Sequence, residues 1–408
     1  MFKNLLEPFK YKQISALLIG QLTSKFGDSI MKLMLPLIVY SITGSLLSMG
    51  LIMSIMIVPE VFLLPVTGII VDRYSRKNLM ILSDVIRFLL LSILTILSLC
   101  GLLNIYAIYF YAFVSGIVNS LFEPAYSALK AQIFKEDIRN SANALSEISN
   151  QFVTLLGPVI GGIFASLHIY SLGFGIDALT FLGSVLSLLC IKVYREAEKE
   201  KEPKFSLHVF GAELKEGYYE INKHDFIKIT IFVGAFVNII ISSFVNISLP
   251  YFMKNILNLP DFYYGIAMSF FSIGSICMAT FLGSRNQINK RGIMTYMCFG
   301  LIGSFIAGLL LFKNVFALIL CLMLMGVTVT LMMLIWYSSM QELISEKNFG
   351  KVSSLDNFGS FTLLPVGYIL VGYTSQKIGI SQTMLIESLF MMAFGFLMIF
   401  NSKIRKFD

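Results

Sequence analysis

Charge is what this chain has least of. Asp, Glu, Lys and Arg make up only 13% of its 408 residues, while 56% are hydrophobic. An ordinary soluble domain carries roughly 25% charge. Water does not solvate so much apolar surface, which excludes a soluble globular domain and leaves lipid as the solvent. Histidine is scarce too. The three present, His168, His208 and His224, form no HExxH or other metal-ligating spacing. The five cysteines (Cys100, Cys190, Cys277, Cys298 and Cys321) lie scattered through apolar stretches without a CxxC pair. Free thiols are therefore expected, and no metal site. No GxxxxGK[ST] loop occurs, so the chain has no ATP engine of its own. Nothing in it reads as an enzyme or calls for a cofactor, and no repeated pore-lining ring suggests a channel. The first 13 residues lack a small-residue cleavage site; no removable leader is expected.

What the chain has is apolar runs long enough to cross a bilayer, which takes about 20 residues each. Twelve are expected, at about 14–41, 46–71, 78–101, 104–130, 140–167, 170–192, 225–253, 261–284, 292–312, 315–343, 350–375 and 380–402. Several exceed a 30 Å core, which implies tilt or projecting ends. The fold class is thus an all-α membrane protein.

The net charge of +7 finds its explanation in topology, not in nucleic acid. Of the 31 Lys and Arg, Lys254, Lys313 and Lys377 fall on one set of turns, and Lys25, Lys32 and Arg87 fall within spans. The other 25 lie on the opposite set of loops and adjoining helix ends. Positive charge favours the cytoplasm, so both termini are expected inside.

A polar stretch at 193–224, with the charge run Arg195 to Glu202, divides the spans into six plus six. The expected domains are a bundle at 1–192, a cytoplasmic linker at 193–224 with a short surface helix, and a bundle at 225–408. The halves look related. Arg76, Lys77 and Met80 align with Lys290, Arg291 and Met294 at an offset of 214, and Pro158 matches Pro365 at 207. Such repeats are a transporter signature, with the substrate site near the bilayer midplane.

After span two, Gly68, Asp72, Arg73, Arg76 and Lys77 stand in the pattern GxxxDRxxRK. It resembles the loop 2–3 motif of the major facilitator superfamily, in letters and in position. Further segments resemble the macrolide-efflux-type drug/proton antiporters of bacteria within that superfamily. These are Gly27 and Asp28 in span one, Glu123-Pro124-Ala125 in span four, Ser141 to Leu145, Gly157, Pro158, Gly161 and Gly162 in span five, and Asp177 to Phe181 in span six. The second-half loop motif has Asn286 where Asp72 has its counterpart. The resemblance implies two pseudo-symmetric six-helix bundles and alternating access. It also implies small-molecule and proton partners, a monomer, and a place in the bacterial cytoplasmic membrane. It assigns Asp72 a gating latch against the start of span eleven, where a carboxylate meets the positive end of a helix. Arg73, Arg76 and Lys77 belong to the same motif or serve topology alone. Gly157, Pro158, Gly161 and Gly162 read as a helix-packing motif.

Gln21, Lys25, Asp28 and Lys32 fall at about −40°, 0°, −60° and −20° around span one, a polar stripe about 60° wide. Charges at that depth normally face a cavity or a partner, and the resemblance places spans one, four, seven and ten around the cavity. The stripe reads as a proton or substrate site, or as an ion-pair cluster that orders the helix. Glu60, beside Pro59, is a second protonation candidate. Asn119, Asn238, Ser242 and Asn246 are candidates for the cavity wall or for interhelical hydrogen bonds. Trp336 lies near Met332, Met333 and Met340, whose flexible thioethers suit varied ligands or plain packing. Glu147, Asp177, Asp84 with Arg87, Glu342 and Asp356 lie nearer helix ends and read as structural or gating residues.

The leading function is a secondary transporter exporting small amphipathic compounds against proton entry. The alternatives are a lipid or lysolipid flippase, or an exporter of an anionic metabolite or siderophore, on the same fold. A membrane scaffold without transport is the reading from another class.

Overall fold

The computed structural model describes residues 7–134, 139–191, 207–283 and 289–407. Every regular element among them is helical. In the first half these are α1 (Lys12–Thr43), α2 (Leu46–Arg73), α3 (Arg76–Leu99), α4 (Ile105–Ile133), α5 (Arg139–Ser166) and α6 (Tyr170–Leu189). The second half starts with α7 (Leu207–Asn222), followed by α8 (Asp225–Asn255), α9 (Asp261–Gly283), α10 (Arg291–Phe312) and α11 (Val315–Leu343). It ends with α12 (Glu346–Thr362), α13 (Leu364–Ile378), α14 (Ile380–Leu397) and the short α15 (Ser402–Arg405). Eleven helices among the described residues are long and apolar enough to cross a membrane. Large apolar side chains point outward on both halves: Phe62, Phe110 and Leu179 in the first, Phe232, Phe316 and Phe400 in the second, each more than 60% exposed. Apolar exposure on this scale calls for a lipid or protein cover.

Helix ends fall where the sequence supplies caps. Ser45, Ser75, Asn104 and Asn314 each accept a hydrogen bond from a backbone N–H of the first turn of α2, α3, α4 and α11. Gly44, at φ +63°, closes α1 in the left-handed conformation, its N–H donating to the Tyr40 carbonyl. The repeat is visible in these devices. Asn104 and Asn314 cap corresponding spans 210 residues apart. At the same offset, Gly116 lets α4 lie against the Met56 carbonyl of α2, and Gly326 lets α11 lie against the Phe271 carbonyl of α9. A side chain at either glycine would collide with that carbonyl.

The expected span eleven, 350–375, is not one helix. The α-helical pattern is interrupted at Leu363, between α12 and α13. Pro365 has no N–H to offer the carbonyl four residues back, and its ring crowds that carbonyl. The expected span seven and span twelve each contain a π-helical turn, Phe244–Ser248 and Ala393–Leu397.

Two compact units emerge from the packing. One is Met1–Glu202 with Pro260–Ile266; the other is Pro203–Leu259 with Ala267–Asp408. In the first, α1 packs on α5 and α6, α2 on α4, and α3 on α4 and α6. An apolar core sits where α1 and α3 begin and α2, α4 and α6 end, built on Leu17, Met80, Phe122, Leu129 and Leu188. In the second, α10 packs on α11 and α14, and α8 on α12 and α13. The charge run of the expected linker lies outside the described residues. The helix that follows it, α7, docks on α12. Lys351 pairs with Glu216, the Asn348 amide donates to Glu220 at 3.1 Å, and Gly217 abuts Leu355. The Lys223 ammonium, 2.6 Å away, holds the Glu220 carboxyl below the usual carboxylate range.

Candidate functional site: a buried charge cluster and a cavity

Within the first unit the span-one stripe meets charges from four other helices. Arg87 of α3 is only 3% exposed and sits between two aromatic rings, its guanidinium carbon 4.6 Å from the centre of Phe122 and 5.1 Å from that of Phe181. One of its nitrogens lies 3.8 Å from Oδ1 of Asp84, and Nε and Nη2 have no hydrogen-bond partner among the described residues. Asp84, fully buried, accepts from the Ser184 hydroxyl at 2.7 Å. Asp177 of α6, also fully buried, accepts from Thr180 at 3.1 Å through Oδ1, and its Oδ2 has no partner among the described residues. Gly27 makes room for this carboxylate: a Cβ there would collide with Asp177 Oδ1 and the Thr180 hydroxyl. Asp28 follows directly, half-buried, and the charges acting on it come from Arg87, Glu123, Lys25 and Lys32. Glu60 shares most of that environment, acted on by Glu123, Lys32, Arg87 and Asp28.

The stripe itself is uneven. Gln21 is buried with neither amide atom partnered among the described residues, whereas Lys32 is exposed. Lys25 donates to Asn150 at 3.4 Å and lies 5.3 Å over the ring of Tyr126. Asn119 is half-buried on α4. Arg87 thus stands against Asp84, and its charge acts on Asp28 and Asp177 as well. Asp177 and the Asp84–Arg87 pair read from sequence as helix-end residues; here they form the interior of the cluster. That proximity across helices has no local sequence signal.

The basic residues of the loop motif hold helix ends within the same unit. Lys77 donates to the Ile191 carbonyl at 2.6 Å and to Leu189 at 3.4 Å, at the end of α6. Arg76 reaches the Ala128 carbonyl and Gln132, both at 3.4 Å, at the end of α4. Cations suit the negative ends of helix dipoles. Arg73 is exposed. Gly68 and Asp72 lie on the last turns of α2, and their side chains fall outside the described residues. In α5, Gly157 and Gly161 press against Ser29 and Ile30 of α1, while Gly162 meets Asp261 and Phe262 of the 260–266 stretch. Pro158 stays inside an unbroken helix.

The second unit holds a cavity of about 270 Å³ between α8, α10, α11 and α12. Its floor includes Thr230, Thr295 and Phe299, all buried, and its wall includes Asn238, Ser242, Met332, Met333 and Trp336. Asp356, read from sequence as a helix-end residue, lines this cavity. Its Oδ2 accepts from the Trp336 indole N–H at 3.0 Å and its Oδ1 from Ser360 at 3.5 Å. Asn246 is not among the lining residues; its amide donates to the Ser242 carbonyl at 2.8 Å and to the Tyr368 hydroxyl at 3.4 Å. Glu342 pairs with Arg291 at 2.6 Å. Sequence reasoning passed over Glu387 on α14, 4% exposed, whose Oε1 accepts from Ser248 at 3.2 Å. An acid in the middle of an apolar span was the available signal.

Comparison with known proteins bears on the whole chain. The model of the transmembrane secretion effector family matches residues 4–408. Macrolide efflux protein A of Streptococcus pyogenes is 22% identical over 391 residues, 95% of this chain and 96% of that protein. A multi-drug resistance efflux pump of Streptococcus pneumoniae is 28% identical over 192 residues, 46% of this chain and 44% of the pump. Among solved structures, a POT family transporter in complex with 5-aminolevulinic acid superposes with a TM-score of 0.75 at 13% identity, covering 96% of each chain. At that identity the likeness is one of fold.

Proposed function

Since the chain belongs to the transmembrane secretion effector family of the major facilitator superfamily, and is therefore a multi-pass membrane transporter and not an enzyme, we propose that it exports small amphipathic compounds, of the macrolide and multidrug kind, in exchange for protons. It works as a monomer in the bacterial cytoplasmic membrane, with both termini inside, by alternating access.

The observation that supports proton coupling is the cluster in the first unit. Asp84 stands against the buried guanidinium of Arg87, whose charge also acts on Asp28 and Asp177. Ionised carboxylates without a partner are costly at membrane depth, so a cluster with more acids than buried cations is suited to holding protons. Asp28 is its least enclosed aspartate, on the same stripe as Lys25 and Lys32. It takes the role of the exchanging acid. A conformational step that changes its solvation or its distance from those cations changes its proton affinity. A ligand drives a two-state equilibrium only through unequal affinity for the two states, and this inequality supplies the drive. Gly27 keeps Asp177 and Asp28 adjacent, so a proton on one is felt by the other.

The test is transport into proteoliposomes under an imposed pH gradient, with a macrolide as substrate. Asp28→Asn keeps the shape and removes the titrating group. It is expected to abolish gradient-driven accumulation while substrate binding and downhill movement persist. Full accumulation by Asp28→Asn would refute the role given to Asp28 and turn attention to Glu60.

A further inference from the structure

The cavity in the second unit has a chemical bias that the export reading does not specify. Asp356 is the sole charged residue among those lining it, and among the described residues no Lys or Arg pairs with Asp356. Its two oxygens receive only neutral donors, the Trp336 indole and the Ser360 hydroxyl. A carboxylate in an apolar wall is expensive unless a charge of opposite sign meets it. Each oxygen keeps acceptor capacity beyond the one hydrogen bond it accepts. Trp336, Phe299, Met332 and Met333 line the same cavity. Aromatic faces attract cations, and methionine adapts to varied apolar shapes.

We infer that this cavity binds the protonated-amine end of amphipathic compounds, with Asp356 as counter-ion and Trp336 as the aromatic wall. The inference rests on the export reading for its place in a transport cycle, and names the substrate class.

Size narrows the class. Drug-sized ligands occupy pockets of about 300–1,000 Å³, and this one holds about 270 Å³. It takes one ring or an amine-bearing head. The remainder of a larger compound lies at the mouth, where Tyr337, Phe361 and Met333 are exposed. The site is braced from behind. Phe226 packs against Trp336 at 6.4 Å between ring centres and stacks on Phe407 at 4.0 Å. The indole is thus held in the orientation that donates to Asp356. The same carboxylate repels anions, so phosphate head groups and anionic metabolites are poor ligands here.

Trp336 is the single tryptophan of the chain, so its emission reads occupancy directly. The experiment titrates purified full-length protein in detergent with phenylbutylammonium and with its uncharged isostere, phenylbutanol. A saturable change in emission is expected, with the ammonium binding at least about tenfold tighter, a difference of about 1.4 kcal/mol. Asp356→Asn should bring the two affinities together. Gly234→Leu is a second variant that keeps Asp356. Gly234 lines the cavity and a Cβ there meets open space, so leucine fills the pocket and should remove the response to both compounds.

Equal affinities in the unaltered protein, no response to either compound, or an ammonium preference that survives Asp356→Asn would each overturn the site. Gradient-driven export without ammonium preference defeats this inference alone. Ammonium preference without export defeats the export reading alone.

Discussion

Arg87 is the residue on which the charge balance of the first unit turns. It is buried between Phe122 and Phe181 and stands against Asp84, with Asp28 and Asp177 within its field. Removing one partner of a buried ion pair costs roughly 3–5 kcal/mol, because the other charge is left without compensation. Arg87→Met, which keeps the apolar volume, is therefore expected to lower the melting temperature in detergent sharply. Adding Asp84→Asn to it should restore part of the loss. A melting temperature untouched by Arg87→Met would show that the guanidinium does not neutralise the cluster. The span-one stripe was legible because Gln21, Lys25, Asp28 and Lys32 share one face of one helix, a local property. The place of Arg87 and Asp177 was not, because α6 meets α1 and α3 only in the packed bundle. Asp356 shows the same limit: its position near a helix end says nothing about the cavity that α8, α10 and α11 build beside it.

Helix ends were largely legible. The asparagines and serines that cap α2, α3, α4 and α11 stand just before apolar runs, and the expected starts at 46, 78, 104 and 315 lie within two residues of the observed ones. Proline was less so. Pro158 and Pro365 match between the halves, yet α5 continues through Pro158 while the chain breaks before Pro365. The covalent effect is the same at both, a missing N–H and a crowded carbonyl. The surroundings differ. Gly157 and Gly161 press the stretch of α5 around Pro158 against α1. Pro365→Ala should restore one hydrogen-bonding N–H and join α12 to α13, seen as slower amide exchange across 363–367. If the break works as a hinge, export slows while the melting temperature holds or rises. Export at the normal rate in a chain with a joined helix would remove the hinge from the cycle.

At the scale of the whole molecule, the two halves repeat their devices. Asparagine caps and close-contact glycines recur 210 residues apart, and each unit carries its own polar feature, a charge cluster in one and a cavity with a lone carboxylate in the other. The orientation proposed from the Lys and Arg asymmetry is open to labelling. In a background with the exposed Cys100, Cys190 and Cys277 replaced, Lys215→Cys on α7 should resist a membrane-impermeant thiol reagent in whole cells, and Lys313→Cys should react. The reverse pattern would invert the topology. The sequence by itself determined the solvent, the approximate limits of most apolar runs and the resemblance to a transporter superfamily. All of these follow from composition, from a period within one helix, or from a motif of neighbouring residues. Only the tertiary structure decided that the buried Arg87 stands among Asp84 and two aromatic rings, that Gly27 admits Asp177, that Pro365 breaks a span and Pro158 does not, and that Asp356 faces a cavity. Those outcomes depend on which helices touch. That choice is set by side-chain packing between residues tens to hundreds of positions apart, and no local pattern encodes it.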